Sequence, residues 1–215
     1  MKALFLNGSP RKNWNTHKLL ESAINGAAEA GAETELVHLY DLNFKGCKSC
    51  FACKLKNNKT NGLCVIRDDL RPVLEKAREA EIVVVGTPIY ISFSTGVARE
   101  FLERFIFAPL SYAGKDSGFK KATAMIYTMN CPEDLAAKFN YDVILNTEVA
   151  TLKRIFSYCE MLGSYDTYQF NDYSKYDVTM FNPEHKAEHR DKQFPIDLEN
   201  AFNLGKRLVE VASKL

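Results

Sequence analysis

Short apolar runs alternate with amphipathic stretches along most of the chain. "KALFLNG" (2–8) is a continuous apolar run closed by glycine, the pattern of a buried strand. "NTHKLLESAINGAAEA" (15–30) places Leu19, Leu20, Ile24, Ala27 and Ala28 at helical spacing, and Gly31 stops it. "ETELVHL" (33–39) alternates and reads as a second strand. Asp68 or Asp69 is placed to cap a helix over "LRPVLEKAREA". "EIVVVGT" (81–87) is almost wholly β-branched, the strongest strand signal in the chain. An amphipathic helix over 95–105, a strand over 121–128, a long helix over 143–162 and a fifth strand, "SYDTYQF" (164–170), follow. A last helix spans about 197–214.

Strands alternating with helices predict a parallel sheet covered on both faces. Five strands in this rhythm predict the α/β, flavodoxin-like doubly wound order 2-1-3-4-5. At 215 residues, with no repeat and no low-complexity linker, the chain reads as one domain, 1–215. It carries a cysteine-rich loop at 44–67 and a C-terminal excursion plus helix at 171–215. The polar part of that excursion, 171–195, is too rich in Tyr and Phe for a disordered tail. It is expected to pack on the body or on a neighbouring subunit.

Composition narrows the function. Lys plus Arg is 28 and Asp plus Glu is 27, a net charge of +1. That balance offers no footprint for nucleic acid or an anionic membrane. The apolar start is too short for a secretory signal, and 82–98 contain Pro88, two glycines and hydroxyl residues, so no membrane span is expected. A cytoplasmic location follows, where clustered cysteines bind metals or react more often than they form disulfides.

In an open parallel sheet, ligands sit beyond the carboxyl ends of the strands. At the first such end, Gly8 permits a sharp turn and Ser9 supplies a hydroxyl. Asn15 and Thr16 open a helix whose amides and dipole converge on one spot, and Arg11 adds a forked cation. This is a cradle for a phosphate monoester; the plainer reading is a turn and a helix cap. Walker and dinucleotide glycine patterns are both missing. The second strand end, Thr87–Ser92, offers backbone amides beside Tyr90. The third offers Thr128, Met129, Asn130 and Cys131. Together the three suit a mononucleotide, unless Tyr90 and Phe93 only cover the core edge.

"GSPRKNWNT", "GTPIYISFSTGVAREFLERF" and "YTMN" together resemble the NAD(P)H-dependent FMN reductase branch of the flavodoxin superfamily. "CKSCFACK" and the following "CVIRDDL" resemble its iron–sulfur flavoprotein group. The resemblance covers at least residues 1–163. It implies that Ser9, Arg11, Asn15 and Thr16 hold the FMN phosphate. Thr87, Pro88, Ile89, Tyr90, Ile91 and Ser92 then lie along the isoalloxazine ring, with Thr128, Met129 and Asn130 on its other side. It also implies a homodimer or homotetramer with the flavin near a subunit interface. Two positions depart from the family: Trp14 replaces a small residue, and "NCPED" replaces a Gly-Gly pair.

Cys47, Cys50 and Cys53 form a C-x2-C-x2-C arc, and Cys64 follows after ten residues. Three thiolates in an arc plus one from elsewhere is a 4Fe–4S pattern. Structural zinc prefers two separated pairs. A third reading is a surface loop of reduced thiols, with Lys45, Lys48, Lys54, Lys56 and Lys59 lowering their pKa. If a cluster is present, this loop is expected at the same sheet edge as the phosphate cradle. Cys159 reads as a core residue on a helix. His38, His185 and His189 belong to no motif.

The function expected is an oxidoreductase passing electrons from NAD(P)H, or a cluster, through FMN to a small-molecule acceptor such as a quinone, flavin, nitro or azo compound. No catalytic side chain is assigned. The other reading is a flavodoxin-like electron carrier serving a partner protein. Carriers often present a strongly acidic docking face, and the near-neutral charge of this chain favours the enzyme.

Overall fold

The computed structural model describes residues 1–57, 59–113 and 117–215. Residue 58, inside the predicted cysteine loop, lies outside the described residues. Five parallel strands form the sheet in the order β2-β1-β3-β5-β6, which is 2-1-3-4-5 of the main strands. They are β1 (Lys2–Asn7), β2 (Glu33–His38), β3 (Ile82–Tyr90), β5 (Lys121–Thr128) and β6 (Ser157–Ser164). A two-residue strand, β4 (Phe93–Ser94), folds back antiparallel on β3. This is the flavodoxin-like arrangement.

The side-chain period of two divides the core into two layers. Phe5, Ile82, Val84, Ala124 and Ile126 face one side, under helices α1 (Asn15–Glu29) and α7 (Phe194–Ala212). Leu4, Leu6, Val83, Val85, Met125 and Tyr127 face the other, under α2 (Leu70–Glu79), α3 (Gly96–Phe107) and α5 (Tyr141–Phe156). A short α4 (Glu133–Lys138) follows β5. None of the described helices is long and apolar enough to cross a membrane.

The structure corrects two elements. The helix expected over 143–162 ends at Phe156, where Ser157 takes a left-handed backbone (φ 78°) and the chain passes straight into β6. The fifth strand is therefore 157–164 rather than 164–170. "SYCEMLGS" carries helix formers, but pairing with β5 from Lys121↔Ser157 to Thr128↔Ser164 overrides that preference. Cys159 sits on this strand, still as a core residue, and burial pushes its thiol up to about 11.

The excursion 171–195 is built, and it packs on its own chain. A 3-10 turn spans Tyr173–Lys175, and α6 spans Pro183–Lys192. Asn182 caps α6 by accepting from Glu184 N–H (2.9 Å) and His185 N–H (3.0 Å). Phe170 stacks on Tyr176 with ring centroids 4.0 Å apart. The last helix starts at Phe194, a turn earlier than expected, because Pro195 suits a first helical turn.

Candidate cofactor site

The first loop is shaped from beneath by Asn7, the fully buried end of β1. Its Oδ1 accepts from Ser9 N–H (2.9 Å), and the Ser9 hydroxyl accepts from Arg11 N–H (3.2 Å). Gly8 is required for space and not for a left-handed backbone: a Cβ there would lie 3.0 Å from the Ala98 Cβ. Helix α1 then begins with no side-chain cap and no acidic residue in its first turn. Its first amides keep their capacity to bind an anion, and the helix dipole favours one. Ser9 and Thr16 are buried here, Asn15 half-buried and Arg11 exposed.

The polar side chains of this loop also have partners within the chain. Arg11 Nη1 donates to the Gln169 carbonyl (2.6 Å). Trp14 Nε1 (3.2 Å) and Asn15 Nδ2 (2.8 Å) both donate to the Tyr168 carbonyl. Residues 167–169, expected as the end of a strand, are thus a strap across the first loop. Thr167 fastens the same strap to the third loop, its N–H (2.9 Å) and hydroxyl (3.1 Å) both donating to the Met129 carbonyl. Trp14 gains its role here, and the Arg11 guanidinium lies over its ring at 5.3 Å. Thr16 does not face the cradle as a free hydroxyl; it meets the Thr128 hydroxyl at 2.7 Å and joins α1 to β5. His17 pairs along the helix with Glu21 at 3.2 Å.

The second loop is tied to the first by Thr95, which sequence reasoning missed. Its hydroxyl donates to the Gly8 carbonyl (2.8 Å), and its N–H donates to the Thr87 hydroxyl (3.1 Å). Ile89 and Tyr90 pair with Ser94 and Phe93, leaving Ile91 and Ser92 as a two-residue turn with φ of 49° and 71°. A turn with both φ values positive matches sheet twist, but it strains a β-branched residue. Ile91 is 93% exposed, and Tyr90 and Phe93 are exposed beside it. Ile91 therefore stands at the hairpin tip, while buried Thr87 anchors the base.

Beneath the hairpin lies buried Glu148. It accepts from Ser94 Oγ (2.6 Å), Tyr127 OH (2.9 Å) and Arg99 Nη1 (2.8 Å). Burial and then the Glu148 carboxylate push the Tyr127 phenol far up, so it serves as a neutral donor.

In the third loop, Thr128 and Met129 are buried and Asn130 is half-buried. The Asn130 carbonyl accepts from Lys186 Nζ (2.6 Å). Its side-chain Oδ1 is buried without a hydrogen-bond partner among the described residues. A buried acceptor with no donor is costly, and an N–H of a bound heterocycle would satisfy it.

The cysteine loop is organised by one side chain. Arg104 on α3 is 1% exposed. It grips Asp68 with both terminal nitrogens (2.6 and 3.0 Å) and donates to the carbonyls of Lys45 (3.1 Å) and Ile66 (3.2 Å). The two ends of the loop are closed on this guanidinium. Asp68 is therefore an anchor and not a helix cap. Asp69 caps nothing either; it accepts from Asn43 N–H (2.8 Å). Between the ends, Ser49 and Phe51 take left-handed backbones (φ 52° and 55°) around Cys50.

Cys47, Cys50, Cys53 and Cys64 all line one small pocket, together with Arg104, Phe107 and Ala108. Arg104 Nε is buried with no hydrogen-bond partner among the described residues. No three of these sulfurs lie within 4.8 Å of one another. A tetrahedral zinc with bonds of 2.3 Å needs sulfurs about 3.8 Å apart. The four thiols are not drawn together tightly enough for one zinc ion.

Two expectations about the loop change. Burial raises the Cys53 thiol and outweighs the lowering pull of Lys54, whose ammonium caps the end of α3 at the Phe107, Ala108 and Leu110 carbonyls. The loop leaves the sheet at the phosphate edge, but its pocket lies along α3. Thr95, just before α3, touches the first loop, whereas Arg104 to Ala108 line the pocket. At 1.5 Å per residue that is roughly 13–20 Å away along the helix.

A model of the family described as NADPH-dependent FMN reductase matches residues 1–133. An iron-sulfur flavoprotein from Archaeoglobus fulgidus is 36% identical over 138 residues, 58% of this chain and 65% of that protein. One from Methanocaldococcus jannaschii is 35% identical over 104 residues, 48% of this chain and 51% of that protein. The matches span less than two thirds of these relatives' lengths. An NAD(P)H:quinone oxidoreductase from Methanothermobacter marburgensis shares the fold, with a TM-score of 0.70 at 16% identity over 97% of this chain and 96% of that one. The family match contains the first loop, the cysteine arc, the hairpin and the third loop, so the features assembled above are those of the family's own segment. The chain belongs to the NADPH-dependent FMN reductases, a family of flavin-binding oxidoreductases.

Proposed function

We propose that the protein is an FMN-dependent oxidoreductase that takes electrons from NAD(P)H and delivers them to a small acceptor of the quinone, flavin, nitro or azo class. A 4Fe–4S cluster on Cys47, Cys50, Cys53 and Cys64 is its second redox group. The observation that carries the flavin reading is the uncapped, acid-free N-terminus of α1, facing a loop held by Asn7, Ser9 and Thr95. FMN when bound supplies the hydride and one-electron chemistry.

The chain's own residues bind and orient. The first-turn amides of α1 and the Arg11 guanidinium are placed for one terminal phosphate. Thr95 fixes the base of the hairpin relative to that phosphate, and Asn130 Oδ1 offers an acceptor to the ring. Hydride passing between stacked rings needs no acid–base pair, and none of these loops holds one.

The single pocket lined by all four cysteines supports the cluster, as do the iron-sulfur flavoprotein relatives. The working form is a homodimer or homotetramer. The exposed apolar tip of Tyr90, Ile91 and Phe93 supports that reading. Light scattering of the flavin-loaded protein should give a mass at least twice the 24.4 kDa chain, and a monomer would refute it.

Anaerobically purified protein tests the rest. It should release FMN on denaturation and carry about four iron and four sulfide per chain. Cys50→Ser and Cys53→Ser should lose the iron and sulfide while keeping FMN. Release of FAD alone, or no flavin after reconstitution, would overturn the flavin reading. A purely yellow protein after iron–sulfide reconstitution would overturn the cluster.

A further inference from the structure

A second group of metal-ligand side chains lies on the far side of the third loop. His185 and His189 are four residues apart on α6 and share a helix face. That face meets Asp166, in the turn after β6. Among the described residues, Asp166, His185 and His189 form the one group of three potential ligands whose donor atoms all lie within 4.8 Å of each other.

Asp166 is 4% exposed, and its two oxygens have different neighbours. Oδ1 pairs with the buried Lys186 ammonium. Oδ2 faces the histidines, 3.0 Å from His185 Nε2 and 3.8 Å from His189 Nδ1. The other nitrogen of His189, Nε2, lies 3.2 Å from the Tyr165 carbonyl. A carbonyl only accepts, so Nε2 carries the proton. In the neutral ring, Nδ1 then carries a lone pair, 3.8 Å from a carboxylate oxygen. Two acceptors face each other across a gap that a cation would fill. An imidazole that donates one nitrogen to a backbone carbonyl and offers the other is also how metal-bound histidines are oriented.

We propose that Asp166, His185 and His189 bind a divalent transition ion of the zinc class. Two imidazole nitrogens and one carboxylate oxygen suit zinc and not magnesium or calcium. Tetrahedral bonds of 2.0–2.1 Å put neighbouring ligand atoms about 3.4 Å apart. The observed 3.0 and 3.8 Å separations bracket that value, so small side-chain shifts complete the site. His185 has a 63% exposed side chain, which leaves the fourth position to water.

The ion would brace the third loop. Asp166 N–H donates to the Cys131 carbonyl (3.0 Å), and Lys186 holds the Asn130 carbonyl. Binding thus ties α6 to the turn that supports residues 129–131. Lys186 neutralises part of the Asp166 charge and weakens the site relative to a bare carboxylate. The proposal stands apart from the flavin reading, since none of its ligands is a predicted flavin contact.

The test is zinc uptake by the full chain after chelator treatment, measured by calorimetry and elemental analysis. Wild type is compared with His185→Ala and His189→Gln. Glutamine keeps a donor for the Tyr165 carbonyl while removing the Nδ1 lone pair. The thiols are untouched in all three, so zinc held by the cysteine loop cancels in the difference. Wild type should take up one more zinc per chain than either variant. At zinc 100-fold above its Kd, wild type should also gain roughly 5–10 °C in melting temperature beyond any gain of the variants. Equal uptake and equal melting gains in all three proteins would overturn the proposal and leave the three side chains as a hydrogen-bonded group without a metal.

Discussion

The phosphate loop and the cysteine loop begin at the same edge of the sheet and are built in opposite ways. The phosphate loop takes its shape from regular structure: the end of β1 sets one side, the start of α1 the other, and the side-chain oxygens of Asn7 and Ser9 accept from backbone N–H groups in the turn between them. Its charged and amide side chains reach outward to a strap. The cysteine loop has almost no regular structure. A single buried guanidinium closes its two ends, and residues with left-handed backbone curve it between them. A site made from secondary structure distributes its support over many weak bonds. A site made from irregular chain concentrates support in a few strong ones, and those are costly to lose.

The largest expected effect tests that concentration. Arg104→Leu removes four hydrogen bonds and leaves Asp68 without its partner in a partly buried site. Breaking a buried pair from one side costs about 3–5 kcal/mol. Urea denaturation should show that loss, and cysteine-bound iron should fall with it. Flavin affinity of the folded fraction should stay within about twofold if the two regions are separate. A large loss of flavin affinity would show that the two loops form one unit.

Next in size is a pH effect on the cysteine side. Lys121, on β5, is buried with its ammonium donating to the Arg78 (2.8 Å) and Ala80 carbonyls behind the loop. Burial first, and then Arg78, lower its pKa from 10.5 to about 8. Below pH 8 the amine is charged in both folded and unfolded chains. Between about 8 and 10.5 the unfolded chain holds more protons, so stability rises with pH through that window and levels off above it. The gain is at most roughly 3 kcal/mol. Lys121→Met should flatten that part of the profile, read as the urea midpoint at pH 7.5 and 10.5 in both proteins. An unchanged slope in the variant would place the titration elsewhere.

The phosphate loop should respond in affinity and not in stability. Arg11→Ala should weaken FMN binding by about 1–3 kcal/mol, roughly 10- to 100-fold in Kd, through loss of a charge-assisted contact. Its stability should change little, since Arg11 is exposed and gives up one bond to the Gln169 carbonyl and its contact with the Trp14 ring. Fluorescence titration of the apoprotein checks the first, and denaturation the second. A stability loss as large as the affinity loss would mean that Arg11 serves the strap and not the ligand.

These predictions rest on features that the sequence displays unevenly. The strand–helix rhythm and sheet order are legible because buried parallel strands are continuous apolar runs. β6 is not, because it is an edge strand with Glu160 and Gly163 and starts without a loop. The phosphate loop is legible because it is local: a glycine, a serine and a helix start within nine residues. Its strap is not, because Tyr168 and Gln169 meet it from more than 150 positions away. Asn7 and Thr95 did carry a signal, a polar residue closing an apolar strand and a threonine just before a helix. Arg104 carried none, since a lone arginine on an amphipathic helix reads as surface. The His185–His189 spacing was visible, but only the fold supplies Asp166.

The smallest effect probes why the hairpin tip keeps a residue that its backbone disfavours. Ile91 at φ 49° is left-handed and 93% exposed, so it has strain and almost no burial to offset it. Left-handed backbone costs an ordinary residue roughly 1–2 kcal/mol, and asparagine tolerates it far better. Ile91→Asn should therefore stabilise the isolated apoprotein by about 0.5–1 kcal/mol, seen as a higher urea midpoint. A protein that keeps such a residue against its own stability uses it for something outside the folded monomer. If that use is contact with a second chain or with the ring, the same variant should associate more weakly or bind FMN less tightly, by light scattering and titration. A variant that gains stability and loses neither would show that the tip is strained for no binding purpose. The phosphate site would then consist of the loop, the helix and the strap.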